Sequence, residues 1–193
     1  MNASRFLEKV AREHFAANSL EPGNWIAKAR GLLEAAQSLE DTLLEPTFRN
    51  GKSDPAWRPS TDGRFLNLNG VCLMLRAYAL ENLCKAILIQ TLPAAERQVI
   101  ADGSLAKDAT GHDLPKLFER AHLPANDLER SQLERLTEAS MWFGRYPMPI
   151  SSSANMLVET EARRHLNELE VIDVDRAVTK ILIDRAFVKA SGA

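Results

Sequence analysis

The sequence predicts an all-α fold, an antiparallel helical bundle with additional amino- and carboxy-terminal helices. The first observation is an almost wholly apolar segment over residues 69–92, and a helix that is apolar on all sides is buried. The second is that apolar residues elsewhere recur at the helical spacing, between breaks that contain proline or glycine. The third is that the β-branched run at Val171, Ile172 and Val174 is too short to require a strand.

Composition favours one globular domain spanning residues 1–193. A chain of 193 residues is long enough to bury a sizeable core. Hydrophobic residues make up 45% and charged residues 26% of it, which excludes wholesale disorder and fibrous repeats. The 24 Lys and Arg residues against 26 Asp and Glu leave a formal charge of −2. This balance argues against a protein that coats polyanions, so any nucleic-acid site must be local.

The sequence also predicts a cytoplasmic protein that does not enter a membrane. The first 15 residues lack the apolar core and the cleavage site of a secretory signal. Each charged side chain in the middle of the apolar segment would cost about 2.5–3.5 kcal/mol on membrane insertion. Cys72 and Cys84 lie in that same segment, too far apart along one helix to form a disulfide. We expect both to be buried free thiols in a reducing compartment.

Two helices are predicted before the apolar segment. Phe6, Val10 and Phe15 indicate a first helix that ends before a break at residues 19–23. Asn24 then has the residue type of an N-cap for a long second helix. The apolar face of this second helix consists of Ile26, Leu32, Leu33, Ala36, Leu39, Leu43 and Leu44.

The connection over residues 45–69 contains three prolines and two glycines and has no sustained periodicity. Connections of this length are uncommon unless they are functional or mobile. Basic and aromatic residues alternate here, a mixture that stacks bases and holds phosphates. The alternative is a loop held by its aromatic residues with its charges solvated. The nucleic-acid candidates are Arg49, Lys52, Trp57, Arg58 and Arg64.

Shorter helices are predicted after the apolar segment. Pro93 suits the first turn of a helix over residues 93–101. Residues 113–121 form the next, and Asn126 or Asp127 starts a third.

Prolines at positions 147 and 149 end this run because they restrict the residues before them to extended conformations. They place Arg145 and Tyr146 at a helix end. Two further helices complete the chain, the last of them capped by Asp173.

Three segments carry a resemblance to a known family: RAYALENLCKAIL over residues 76–88, GHDLPKLFERA over residues 111–121 and the tripeptide RYP at 145–147. With them the chain resembles the HEPN superfamily over residues 24–149. The resemblance implies a bundle of four or five antiparallel helices, often dimeric. It further implies a role in RNA cleavage, toxin–antitoxin pairs, phage defence or nucleotide binding.

The chain departs from that family at its nuclease motif. Nuclease members carry an arginine followed after four to six residues by a histidine, and no such pair occurs here. The usual metal-independent cleavage needs an acid or base beside a charge stabiliser, so the departure argues against it. Residues 1–23 and 150–193 fall outside the resemblance and are helical additions to the core.

The polar residues of the apolar segment have two interpretations. Glu81 and Lys85 are four residues apart and favour an ion pair within the core. Alternatively, Arg76, Glu81 or Lys85 meets Arg145 across the bundle and forms a polar ligand site, because facing helices build such sites.

His112 and Arg145 are the candidates for catalysis. Asp113 next to His112 suits a helix cap, whereas catalysis would need a carboxylate that orients the imidazole. Arg145 and Tyr146 lie in a constrained turn, where a guanidinium can bind phosphate through two hydrogen bonds or can cap helix-end carbonyls. The sequence shows neither clustered metal ligands nor a glycine-rich phosphate loop, so we predict no cofactor.

These observations favour a non-catalytic HEPN-like binding or regulatory module linked to nucleic-acid-related stress or phage defence. Its expected partners are a second copy of the chain in a homodimer, an RNA or nucleotide, or another protein. One alternative is a divergent metal-independent ribonuclease that uses His112 with Arg145. The other is a structural protein-interaction bundle, which predicts an exposed apolar helix face.

Overall fold

The computed structural model describes residues 3–44, 63–102, 111–143 and 169–192. Within these ranges it contains seven α-helices, a π-helical turn and no strand, which confirms the predicted all-α fold for this part of the chain. The helices are α1 (Ala3–Ser19), α2 (Pro22–Leu44), α3 (Gly63–Thr91), α4 (Ala94–Ala101), α5 (Leu114–Arg120), α6 (Asp127–Glu138) and α7 (Leu169–Ala190). The π-helical turn Ala139–Phe143 continues α6.

Helix α3 lies at the centre of the bundle, as its apolar sequence predicts. It packs against α2, α5, α6, α7 and the π-helical turn. Among the described ranges, none of the helices has the length and hydropathy needed to cross a membrane. The largest fully buried apolar side chains are Leu80, Leu83 and Ile89 of α3, Ile100 of α4, Leu114, Leu117 and Phe118 of α5, Leu133 and Leu136 of α6, and Leu182 of α7.

Helices α2 and α3 run antiparallel. The Nζ atom of Lys85, late in α3, lies 5.7 Å from the ring centroid of Trp25, early in α2. Cys72, early in α3, donates from its Sγ to the carbonyl of Ala36, later in α2, at 3.7 Å. This pairing brings the second half of α2 beside the first half of α3.

The central helix begins earlier than its sequence indicates. It starts at Gly63 and not at residue 69, so Arg64 lies in α3 and not in the preceding connection. Gly63 and Gly70 are poor helix residues, which is why the sequence favours a later start. Extending an existing helix needs no new nucleation. The helix formed by the long apolar segment therefore extends back through Gly70 to Gly63.

Two predicted N-caps are also wrong. Helix α2 begins at Pro22, a residue suited to a first turn, so Asn24 lies inside the helix and donates instead to the carbonyl of Asn18 at 3.2 Å. Helix α7 begins at Leu169, so Asp173 lies inside it. In both cases the helix extends beyond the cap residue because propagation costs little once a helix has formed.

The caps of α5 and α6 are as predicted. The Asp113 side chain accepts a 3.1 Å hydrogen bond from the backbone N–H of Lys116. Asn126 and Glu129 form a capping box, in which each side chain accepts from the other's backbone N–H at 2.9 Å. These caps fix where the two helices start. The start of α5 also sets the position of His112, which directly precedes the cap residue Asp113.

Candidate functional site

A buried carboxylate on α3 contacts two basic side chains. Glu81 accepts from Nζ of Lys85 at 2.6 Å through Oε1, which is the core ion pair that the sequence predicts. Its Oε2 lies 2.8 Å from Nδ1 of His112. The side chains of Glu81 and Lys85 are each 8% exposed, whereas that of His112 is 59% exposed. We call these three residues the Glu81 cluster.

The Glu81 cluster supplies the carboxylate that an oriented imidazole requires, and that carboxylate is not Asp113. Asp113 caps α5 and pairs with Lys116 at 2.6 Å. With Nδ1 of His112 held by Glu81, the other ring nitrogen has no hydrogen bond to a described residue. An imidazole held in this way can exchange a proton with a ligand. Lys85 is buried and paired, so it cannot supply the charge that a phosphate beside His112 would need.

Arg76 belongs to a second cluster, on another side of α3. Its Nη2 donates to Oε2 of Glu40 on α2, and Nε of Arg176 on α7 lies 2.7 Å from Oε1 of the same carboxylate. Arg76 and Glu81 are five residues apart, which is about 140° around a helix. The structure therefore separates Arg76 from Glu81 and Lys85, and the three do not share one site.

The Arg76 cluster forms one end of a cleft between α2 and α7, with a volume of about 410 Å³. Arg76 reaches the cleft from α3, which packs against both helices. We call it the α2–α7 cleft. Its lining residues are Leu33, Gln37, Glu40, Arg76, Arg176, Ala177, Thr179, Lys180, Ile183 and Asp184.

Both cysteines are buried thiols beside these clusters, as predicted. Burial, with a smaller contribution from the nearby carboxylate of Glu40, raises the pKa of the Cys72 thiol to about 11. Burial, with a contribution from Glu81, raises the pKa of Cys84 well above the ordinary range. Neither thiol carries the thiolate that nucleophilic or metal-binding chemistry requires.

Most other candidates from the sequence lie outside the described residues. These are Arg49, Lys52, Trp57, Arg58, Arg145 and Tyr146. Arg64 lies in the first turn of α3, and its side chain is not described. The cooperation of His112 with Arg145 therefore stays a prediction. Within the described ranges, no three potential metal ligands come together.

Glu40, Arg176 and Lys180 are not among the site residues that the sequence predicts. Glu40 had a usable signal, because it follows Leu33 by seven residues and Ala36 by four and so lies on the apolar face of α2. A charged residue on such a face needs a buried partner. Arg176 and Lys180 had no such signal, since both lie in a helix whose facing partner is remote in sequence.

Comparisons with protein-family models, with curated proteins and with solved structures find no match to this chain. The resemblance to the HEPN superfamily therefore stays a prediction from the sequence.

Proposed function

We propose that the chain is a non-catalytic, HEPN-like binding or regulatory module that binds an anionic ligand, an RNA or a nucleotide, in the α2–α7 cleft. The observation that carries the proposal is the pair of arginines at the cleft, Arg76 and Arg176, which are held in place by the buried carboxylate of Glu40. Guanidinium groups fixed in this way suit phosphate oxygens. Lys180 adds a solvent-exposed cation, since its side chain is 74% exposed.

The Glu81 cluster supports a non-catalytic role. Phosphoryl cleavage needs a charge stabiliser beside its acid or base. Besides His112, the only basic side chain of this cluster is Lys85, whose ammonium group forms an ion pair with Glu81. The cluster is therefore well suited to holding the residues before α5 against α3. The link to nucleic-acid-related stress, toxin–antitoxin pairs or phage defence follows from the resemblance alone.

The first test follows binding and cleavage of a labelled mixed-sequence RNA together, at low and moderate salt. We expect a salt-sensitive shift without cleavage, because phosphate contacts release counterions. Lys180→Gln should weaken binding and lower the salt dependence by the equivalent of about one phosphate contact. Lys9→Gln is the matched control, since Lys9 is 70% exposed and also pairs with an acid four residues later. Absence of a shift at low salt would refute the binding of RNA in this cleft.

The second candidate is a divergent ribonuclease, favoured by the contact between Glu81 and His112. In this alternative His112 acts as the acid or base, and Arg145 stabilises the phosphate. The same experiment separates the two functions. Cleavage that disappears in folded His112→Ala and Arg145→Ala variants would support the nuclease. Cleavage that persists in both would point to a contaminant.

The third candidate is a protein-interaction bundle, and α7 presents the exposed apolar face that it predicts. Val174, Ile181 and Val188 are about half exposed and recur every seven residues, the spacing by which helices pair along a seam. A homodimer or another protein would cover this face. Sedimentation of the protein and of the Ile181→Lys variant, each with and without RNA, tests whether this face forms an interface. A protein that is monomeric with or without the substitution would argue against a homodimer.

A further inference from the structure

Two pairs of side chains cross between α2 and α7. Glu40 and Arg176 line one end of the α2–α7 cleft, and Arg30 and Phe187 lie about one helical turn beyond its lining residues Leu33 and Ile183. The guanidinium of Arg30 lies 4.9 Å from the ring centroid of Phe187. Arg176 pairs with Glu40 at 2.7 Å. The two crossings are ten residues apart along α2, which is about 15 Å. A ligand that lies between the two crossings extends over at most about 15 Å.

The chemistry of the cleft changes along its length. Arg76 and Arg176 lie at the Glu40 end, and Lys180 lies beside them on α7. Leu33 and Ile183 provide apolar surface towards the Arg30 end. A ligand that fits this order has a phosphate at one end and a less polar ring beside it. A volume of about 410 Å³ is at the lower end of the range for small-ligand sites.

Two cations of the cleft are available to such a phosphate. The pair between Lys180 and Asp184, at 2.5 Å, is exposed and therefore contributes little to stability. Lys180 can leave Asp184 for a ligand at small cost. Arg76 contacts Glu40 through Nη2, and no hydrogen bond joins its Nη1 to another described residue.

We infer that the cleft receives the terminal nucleotide of an RNA that ends in a phosphate monoester, and not an internal stretch of the strand. This inference rests on the proposed function and specifies its ligand. A terminal phosphate carries about −1.5 to −2 charges at neutral pH and three free oxygens, whereas an internal phosphate carries one charge. The volume of the cleft suits one nucleotide, and its cations select the more highly charged phosphate.

The test is competition against a labelled RNA with three unlabelled eight-nucleotide RNAs of identical sequence. One carries a 5′-phosphate, one a 3′-phosphate, and one has hydroxyl groups at both ends. We expect one phosphorylated competitor to displace the label at about a tenfold lower concentration, the scale of one charged hydrogen bond. Lys180→Gln should remove most of the preference for the phosphorylated RNA, whereas the control Lys9→Gln should keep it. Asp184→Asn should increase the preference, because Asp184 no longer competes with the phosphate for Lys180.

The outcomes separate the inference from the proposed function. Equal competition by all three RNAs would overturn the inference and leave RNA binding in place. A preference that Lys180→Gln retains would overturn its assignment to this cleft. If the labelled RNA does not bind at all, RNA binding as the proposed function is refuted and the inference is refuted with it. Thermal unfolding of each variant checks that the exposed substitutions leave the fold intact.

Discussion

Oε2 of Glu81 lies 2.8 Å from Nδ1 of His112, a residue 31 positions further along the chain. The same carboxylate binds Lys85 through its other oxygen. One buried carboxylate on α3 thus anchors both its own helix and the residues that lead into α5. Because burial makes an unpaired charge costly, the stability of this region depends on the set of three and not on one contact.

Replacing Lys85 by methionine should destabilise the protein by about 3–5 kcal/mol, because Glu81 then keeps a buried charge without its ammonium partner. The double variant Glu81→Leu, Lys85→Met should recover most of the loss, since it removes both charges and keeps apolar volume. Urea denaturation of the two variants measures this difference. Equal losses in the single and double variants would contradict the buried ion pair.

The pair of Glu129 and Arg185 should make stability fall at acidic pH. Nη2 and Nη1 of Arg185 donate to the two carboxylate oxygens of Glu129 at 2.7 and 2.9 Å, and these hydrogen bonds hold the pKa of Glu129 below its usual value. A carboxylate whose pKa is lower in the folded protein stabilises it above the unfolded pKa, about 4.3. That contribution is lost as the pH falls through the lower, folded pKa.

Urea denaturation between pH 7 and pH 3 measures this dependence. Arg185→Gln should reduce the loss of stability on acidification, because Glu129 then has a smaller difference in pKa between its folded and unfolded states. Arg185 also donates to the carbonyl of Pro124, so the variant should be less stable at neutral pH as well. An unchanged pH dependence in the variant would show that other carboxylates control acid unfolding.

His122→Gly should stabilise the protein by about 0.5–1 kcal/mol. His122 has a φ of 51°, in the left-handed region, where a side chain is unfavourable. It follows α5 in a Schellman motif, in which its N–H donates to the carbonyl of Glu119 and the N–H of Leu123 donates to that of Phe118, both at 2.9 Å. His122→Ala keeps the Cβ and is the control. A glycine variant no more stable than the alanine variant would contradict this geometry.

The sequence predicts those features of the fold that depend on near neighbours. The caps at Asp113 and Asn126 and the pair of Glu81 with Lys85 each join residues three or four apart, so local chemistry determines them. The contact of Arg176 with Glu40 joins residues 136 apart and depends on how α7 lies against α2. No local pattern encodes that arrangement, because it follows from packing both helices on α3.

Helix starts were the least predictable local feature for a related reason. Asn24 has the residue type of an N-cap and lies inside a helix. Once tertiary packing stabilises a helix, one further turn costs little, and a preferred cap residue no longer fixes the boundary. The α2–α7 cleft is equally hard to predict, since it depends on the pairing of two helices that are remote in sequence and on the register between them.

The two thiols should be unreactive in the folded protein. Cys72 and Cys84 are buried, and burial raises the pKa of both, that of Cys72 to about 11. Since the thiolate is the reacting species, a chromogenic disulfide reagent at pH 8 should modify neither on the timescale of minutes. In denaturant both should react at once, with a signal for two thiols per chain. At denaturant concentrations below the midpoint of unfolding, the thiols should react only in the fraction of molecules that is unfolded, because each thiol lies against the centre of the bundle. Rapid modification of either cysteine under native conditions would mean that α3 is not buried in the bundle as described. Comparing Cys72→Ala with Cys84→Ala would show which half of α3 is accessible.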